Sequence, residues 1–282
     1  MDIITVRDLI YESPLDRSDA WILAEYVFNL TRAQLIAHDD ESMDIYLVER
    51  FLSLQMRRQA GEPIAQLIGI REFFGRSFYI TPDVLIPRPE TELLVESTLS
   101  AIDKINHPSV LDLGTGSGAI TISIAAERPD ARVFGLDNSS NALAIACHNE
   151  DKLLGSERYK RPGGPIRWLK SNWYGSLDPD LLFDIIVSNP PYIANNDPHL
   201  SQGDLRFEPK DALTDYNDGL SAIRLIIADA HRFLKRDGLL LIEHGYNQAK
   251  AVRMLLDTHR FTMIESLMDI ASIERMTSAR LH

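Results

Sequence analysis

Two hydrophobic rhythms divide this chain. Up to about residue 60, apolar residues recur at helical spacing, first as Ala20, Leu23, Ala24, Val27 and Phe28, then as Leu47, Val48, Phe51, Leu52 and Leu54. That pattern predicts a small bundle of helices, each burying one face. Ser18 and Thr31 stand where helix N-caps are expected. Gly61-Glu62-Pro63 ends the pattern, and strand-like stretches from Leu67 to Ile80, with Gly69 and Gly75 between them, predict a β-hairpin linker. Pro87 and Pro89 then stiffen a loop that projects Arg88, and Glu90 to Glu92 suit the first turn of a helix reaching about Ala101.

From Ser109 onward short apolar runs alternate with helical patterns. Strands are predicted over residues 110–113, 132–136, 166–170, 183–188 and 238–243. Helices are predicted over 119–127, after Asp137 through Asn149, and over 220–234 and 247–256, with two strand-like stretches at the end. Residues 155–165 read as a Gly/Pro loop carrying Arg158, Lys160 and Arg161. Residues 193–218 are polar and too long for a simple connector, which suggests a lid or substrate loop. Strands alternating with helices predict a parallel, doubly wound α/β sheet.

The run Asp184-Ile185-Ile186-Val187-Ser188 reads as a buried parallel strand, and it stops at Asn189-Pro190-Pro191-Tyr192. Proline has no N–H and a fixed φ, and a residue before proline is held extended, so this corner is stiff. The Asn189 side-chain oxygen and the Pro190 carbonyl can each accept one N–H of a planar NH2 group, while Tyr192 packs against its flat face. Taken alone, Pro-Pro after a strand usually means a strand-ending turn whose tyrosine merely packs. A second pattern lies upstream. Gly114-Thr115-Gly116-Ser117-Gly118 follows a strand and opens a helix, and Asp137 ends the next strand about 20 residues on. Glycines there allow close backbone approach, the helix start offers N–H groups to an anion, and a carboxylate at Asp137 suits ribose hydroxyls. The pair predicts a nucleoside-containing cofactor. The loop also fits a nicotinamide dinucleotide. The Asn-Pro-Pro-Tyr corner favours S-adenosylmethionine, because it serves an amino nitrogen and does nothing for hydride transfer.

Composition narrows this further. A net charge of −12 removes the general attraction to phosphate backbones, which argues against a nucleic-acid substrate. The one cysteine, Cys147, excludes an internal disulfide and a cysteine-based metal cluster, and its apolar helix pattern predicts a small buried side chain. The eight histidines are scattered without metal-ligand spacing, so no metal is expected. The start, Met1-Asp2-Ile3-Ile4, lacks signal-peptide character, and no apolar run approaches the roughly 18 residues of a membrane span. A cytoplasmic protein with no membrane partner is expected. The acidic run Asp39, Asp40, Glu41 and Asp44 is either a solvated loop with a helix start or a docking face for a basic protein.

Four motifs occur together and in order: Leu85-Ile86-Pro87-Arg88-Pro89-Glu90-Thr91-Glu92, Asp112-Leu113-Gly114-Thr115-Gly116-Ser117-Gly118, Ser188-Asn189-Pro190-Pro191-Tyr192 and Arg206-Phe207-Glu208-Pro209. The set resembles the HemK/PrmC family of peptide chain release factor N5-glutamine methyltransferases, over nearly the whole chain. Asn-Pro-Pro-Tyr alone is shared with adenine-N6 methyltransferases.

The resemblance implies a Rossmann-like, seven-stranded, class I S-adenosylmethionine-dependent methyltransferase domain over 85–282, a helical substrate-recognition domain over 1–60 and a linker over 61–84. It implies S-adenosylhomocysteine as product, and as partner a release factor whose Gly-Gly-Gln loop carries the substrate glutamine. A monomer without direct nucleic-acid contact is expected. Cofactor contacts fall at Gly114, Thr115, Gly116, Ser117, Gly118, Asp137, Trp173 and Asn189, and the catalytic set is Asn189, Pro190 and Tyr192, with Pro191 beside the substrate.

Two segments depart from the family. Asn172 stands where an Asp is common, and Asp269-Ile270-Ala271-Ser272-Ile273-Glu274-Arg275 lacks the usual glycines. Arg88, Glu90 and Glu208 either line a substrate channel or form surface salt bridges. Methylation of a ribosomal protein glutamine, methylation of adenine in nucleic acid, and cofactor binding without catalysis are the competing readings.

Overall fold

The computed structural model describes residues 5–282, so the reading of the chain start at Met1 to Ile4 falls outside the described residues. The chain divides into two compact units, Met1–Ile70 and Arg71–His282.

The first unit contains α1 Val6–Tyr11, α2 Arg17–Phe28, α3 Arg32–Ala37, α4 Ile45–Gln59 and α5 Ile64–Ile68. Their apolar faces meet in one core in which Val6, Leu23, Leu35 and Phe51 are fully shielded. Thr31 caps α3 as predicted, forming a reciprocal capping box with Gln34. Ser18 does not cap α2. The helix starts at Arg17 with Asp16 in the cap position, so Ser18 lies inside its first turn. Leu67 and Ile68 are also helical rather than extended. Pro63 starts a single helical stretch, and Gly69 closes it in the left-handed region at φ 73. Two members of the acidic run are structural: Asp39 pairs with Arg7 at 2.9 Å, and Asp44 caps α4 through the Tyr46 N–H at 2.8 Å.

A hairpin follows, β1 Ile70–Phe73 and β2 Arg76–Tyr79. The second unit then runs α6 Glu92–Ile102, β3 Ser109–Leu113, α7 Ala119–Glu127, β4 Arg132–Asp137, α8 Ser140–Leu154, β5 Arg167–Lys170 and β6 Phe183–Ser188. It ends with α9 Lys210–Leu213, α10 Ser221–Ala230, β7 Leu234–Glu243, α11 Ala249–Thr258, β8 Phe261–Met268 and β9 Glu274–Leu281. Seven strands form one sheet in the order β5-β4-β3-β6-β7-β9-β8. Leu111, Leu113, Phe134, Phe183, Ile186 and Ile227 are among its core residues. Every residue of β3 is buried, as expected of a central parallel strand covered on both faces.

The sheet is mixed rather than wholly parallel. β9 runs antiparallel to both β7 and β8. The turn between Met268 and Glu274 is too short for the dozen or so residues a parallel crossover needs, so the chain must fold back as a hairpin. Asp269 builds that turn without glycine. Its Oδ1 accepts the Ala271 and Ile273 N–H groups, its Oδ2 accepts Arg275 Nε, and Ser272 takes the positive φ of 61. Cys147 is exposed rather than buried, because α8 turns Ala142, Ile145, Ala146 and Asn149 inward and leaves Cys147 on its outer side.

Residues 193–218 are more ordered than predicted. They hold two 3-10 turns and α9, and they are closed at the base by Ile193 N–H to Leu213 O at 3.0 Å and Asn195 N–H to Asn217 O at 2.9 Å. Among the described residues no helix is long and apolar enough to cross a membrane.

Candidate active site

Strand order reverses beside β3, with β4 on one side and β6 on the other, and such a switch point leaves a crevice at the carboxyl edge. Leu113 and Ser188, the last residues of β3 and β6, pair in register, and Ser188 Oγ donates to Leu113 O at 2.7 Å. The glycine loop and the Asn-Pro-Pro-Tyr corner therefore leave the sheet side by side. At the position a Gly114 Cβ would occupy, Trp173 Cζ3 lies 3.8 Å away and the Asn189 carbonyl 4.0 Å away.

The glycine loop is pinned to β4. Gly114 and Thr115 N–H both donate to Leu136 O at 2.9 Å, Gly116 N–H donates to Asp137 Oδ2 at 2.9 Å, and Gly118 N–H donates to Thr115 O at 2.9 Å. Those four groups are occupied, whereas the N–H groups expected to meet an anion are those that open α7 at Ala119. Gly116 has φ +55 and open space where a Cβ would project, so a ligand can reach its backbone. Gly118 serves packing instead: a Cβ there would lie 2.9 Å from Ile122 Cδ1 and 3.1 Å from Ala146 and Trp168. Thr115 and Ser117 turn their side chains inward and are buried. Asp137 Oδ1 accepts the Ser139 N–H at 2.8 Å, and partial burial raises its carboxyl while these backbone donors hold it down. Trp173 sits in the left-handed region at φ 48, held where Ser171 Oγ donates to its carbonyl at 2.6 Å, and Asn172 beside it is exposed.

At the corner, Asn189 Nδ2 donates to Thr91 Oγ1 at 3.1 Å, which turns Oδ1 away from that bond. Tyr192 OH donates to Glu243 Oε1 at 3.2 Å, and Gln248 Nε2 holds the Tyr192 carbonyl at 2.9 Å. A cavity of about 60 Å³ brings Arg88, Asn189, Pro190 and Tyr192 together with Leu205 and Leu213 of the long loop. Glu208 forms a salt bridge, but in the interior rather than at the surface. Its side chain is fully buried, paired with Arg88 and accepting the Ile86 N–H at 2.9 Å. Glu90 is exposed, and neither it nor Pro191 lines the cavity. A larger cleft of about 620 Å³ lies between α6 and the antiparallel edge and contains no predicted site residue.

Residues 8–69 match the family model described as the PrmC N-terminal domain, and residues 106–278 match one described as a methyltransferase domain. The chain is 60% identical to the release factor glutamine methyltransferase of Burkholderia pseudomallei, over 98% of this chain and 96% of that one. It is 46% identical to the enzyme of that name from Bordetella pertussis, over 98% and 99% of the two chains. The chain belongs to the release factor glutamine methyltransferase family. Among solved structures, a T. thermophilus 16S rRNA methyltransferase in complex with AdoMet and guanosine superposes with a TM-score of 0.53 at 20% identity. That match spans 76% of this chain and 50% of the other, and it speaks for the shared fold alone.

Sequence reasoning passed over three residues of this release factor glutamine methyltransferase family member. Asp112 is fully buried beneath the glycine loop. Its Oδ2 accepts Thr115 and Thr121 hydroxyls at 2.7 Å, while Oδ1 has no partner among the described residues. Burial pushes its carboxyl up to about 6. An unsatisfied acceptor at that point fits a ligand bearing N–H groups. Its signal was visible as an acid in an otherwise apolar strand. Thr91 and Glu243 gave weaker signals, one inside a motif read for its prolines and the other as the last residue of a strand.

Proposed function

We propose that this chain transfers a methyl group from S-adenosylmethionine to the side-chain amide nitrogen, N5, of the glutamine in the Gly-Gly-Gln loop of bacterial-type release factors. The carrying observation is the pairing of Leu113 with Ser188, which sets the glycine loop against a corner whose Asn189 presents an amide oxygen. In this reading the protein works in the cytoplasm as a monomer and touches no nucleic acid. Residues 1–60 recognise the release factor, 61–84 link, and 85–282 carry out the transfer.

The residues present fit the cofactor. Gly116 leaves room for close approach, Asp112 Oδ1 is an acceptor in need of a donor, and Asp137 and Trp173 flank the same edge. Gly114 to Gly118, Asp137, Trp173 and Asn189 would hold it, with Thr115 and Ser117 supporting the loop from below. S-adenosylmethionine, when bound, supplies an electrophilic sulfonium methyl and leaves as S-adenosylhomocysteine.

An amide nitrogen is a poor nucleophile because its lone pair is delocalised into the carbonyl. Asn189 Oδ1 and the Pro190 carbonyl accept its two N–H groups, and Tyr192 packs on the flat face, so the lone pair is aimed in line. The protein contributes orientation and fixed dipoles. No strong base is required, since the proton becomes acidic once nitrogen carries the fourth bond. Arg88, held by buried Glu208, shapes the cavity wall, and Pro191 keeps the corner rigid.

Mass spectrometry of a bacterial release factor incubated with the protein and S-adenosylmethionine tests this. One added methyl on the Gly-Gly-Gln glutamine is expected. An unmodified glutamine with cofactor still bound would overturn the proposal.

A further inference from the structure

We infer that Gln248 is a positioning residue for methyl transfer: its one side-chain amide holds the Tyr192 carbonyl and the exit of the long loop, and so sets the aromatic wall against which the substrate amide lies. The inference rests on the reading of Asn189 and Tyr192 as a clamp for a glutamine amide.

Two successive residues of the corner, Pro190 and Pro191, have no N–H to donate. The corner is held instead through side chains and carbonyls. At its start, Asn189 Nδ2 donates to Thr91 Oγ1 at 3.1 Å. At its end, Tyr192 OH donates to Glu243 Oε1 at 3.2 Å, and Gln248 Nε2 donates to the Tyr192 carbonyl at 2.9 Å. A hydroxyl bond alone would let the ring pivot about its tip. The carbonyl bond fixes the backbone from which the ring projects.

Gln248 can act as this anchor because both ends of its amide are engaged. Oε1 accepts the Gly245 N–H at 2.8 Å, and Nε2 donates to Tyr192 O and, at 3.2 Å, to Gly219 O. An amide turned end for end would set an N–H against an N–H and a carbonyl against two carbonyls, so its surroundings admit one orientation. The residue stands at the start of α11, whose Val252 and Leu256 are fully shielded. The amide is therefore mounted on a packed helix rather than on a loop, which holds a site more precisely.

The exit of the long loop is shaped to reach the same amide. Gly219 has φ +80, and a Cβ there would strike the Tyr192 carbonyl and lie 2.9 Å from Gln248 Nε2 and 3.1 Å from Ala194 N. Glycine alone lets the loop come this close. Asp215 forms the turn that delivers it: Oδ1 accepts the Gly219 N–H at 2.9 Å, and Oδ2 accepts the Ser221 N–H at 2.6 Å. Ile193, Leu205 and Leu213 of the long loop line the cavity beside Asn189 and Tyr192, so one amide places the corner and the loop together.

The test uses the full chain, a bacterial release factor and S-adenosylmethionine, with Gln248→Glu, Gln248→Met and Gly219→Ala. Gln248→Glu keeps the length and the acceptor for Gly245 but sets a carboxylate against two carbonyls. It is expected to lower kcat about tenfold to a hundredfold. KM for the release factor should stay within about threefold of wild type, because Glu208 still ties the loop, and S-adenosylhomocysteine affinity within about twofold. Gln248→Met removes all three bonds without adding charge; it should show the same split to a smaller degree, and it carries the test if the charged variant does not fold. Gly219→Ala displaces the Tyr192 carbonyl from the loop side and should lower kcat likewise. Combined with Gln248→Met it should lose little more than the worse single variant, because both break one junction. Wild-type kcat in the Gln248 variants would refute the inference, as would a loss of turnover matched by equal losses of cofactor affinity and thermal stability. A release factor left unmethylated by the wild-type protein would instead sink the glutamine reading, and this inference with it.

Discussion

Asn189 shows how much one side chain is asked to do. Its Nδ2 is spent on Thr91, so Oδ1 is the end left for the proposed contact with the substrate amide. Asn189→Ala should bind S-adenosylhomocysteine within about twofold of wild type by calorimetry yet lose about 100-fold or more in kcat, the scale of removing one preorganised polar contact. Loss of cofactor binding instead would assign Asn189 to the cofactor. The two buried carboxyls make a prediction about stability. Burial raises Asp112 to about 6 and Glu243 to about 7, above their ordinary values of 3.8 and 4.5. Between those limits the folded chain holds protons that the unfolded chain has released. Their contribution is therefore full below the ordinary values and is lost as pH rises through about 6 and about 7. Thermal unfolding of the ligand-free protein should show Glu243→Gln gaining on wild type between pH 5 and pH 8, by a few kcal/mol at most. A gap that does not change with pH would contradict this.

At the scale of elements, what holds the site is the packing of loops on strand ends. Gly118 has φ +80 and no room for a methyl group between Ile122, Ala146 and Trp168. Gly118→Ala should lower stability by about 2–4 kcal/mol in a denaturant titration, combining left-handed strain with overpacking. Glu208 ties the long loop to the segment before α6 through Arg88 and the Ile86 N–H. Glu208→Ala should cost about 2–3 kcal/mol of stability, since Ile86 loses its acceptor while Arg88, partly exposed, can turn to water. It should also raise KM for the release factor more than it lowers kcat, because the cavity wall loosens while Asn189 stays in place.

For the whole molecule, the two compact units have separate cores, and every residue of the proposed cofactor edge lies in the second. Residues 70–282 alone are expected to bind S-adenosylhomocysteine with near-native affinity in calorimetry. They should methylate an intact release factor poorly, with the deficit in KM. Near-native turnover of the release factor would remove the recognition role proposed for residues 1–60.

Local signals were sufficient for much of this protein. Alternating apolar runs and helical spacing determined an α/β domain behind a helical bundle, because those periods report which faces are buried. The limits of α7 were legible to the residue, since Gly118 and Pro129 bound it. Asn189, Gly116 and Asp137 were legible because backbone chemistry at strand ends is encoded by glycine, proline and a carboxylate. Partnership was not legible. That β9 inserts antiparallel between β7 and β8, that Cys147 faces outward, that Glu208 is buried against Arg88, and that Thr91 accepts from Asn189 while Glu243 accepts from Tyr192 all depend on contacts between distant segments. Sequence periodicity marks a face as buried, but what that face is buried against is decided only when the chain closes.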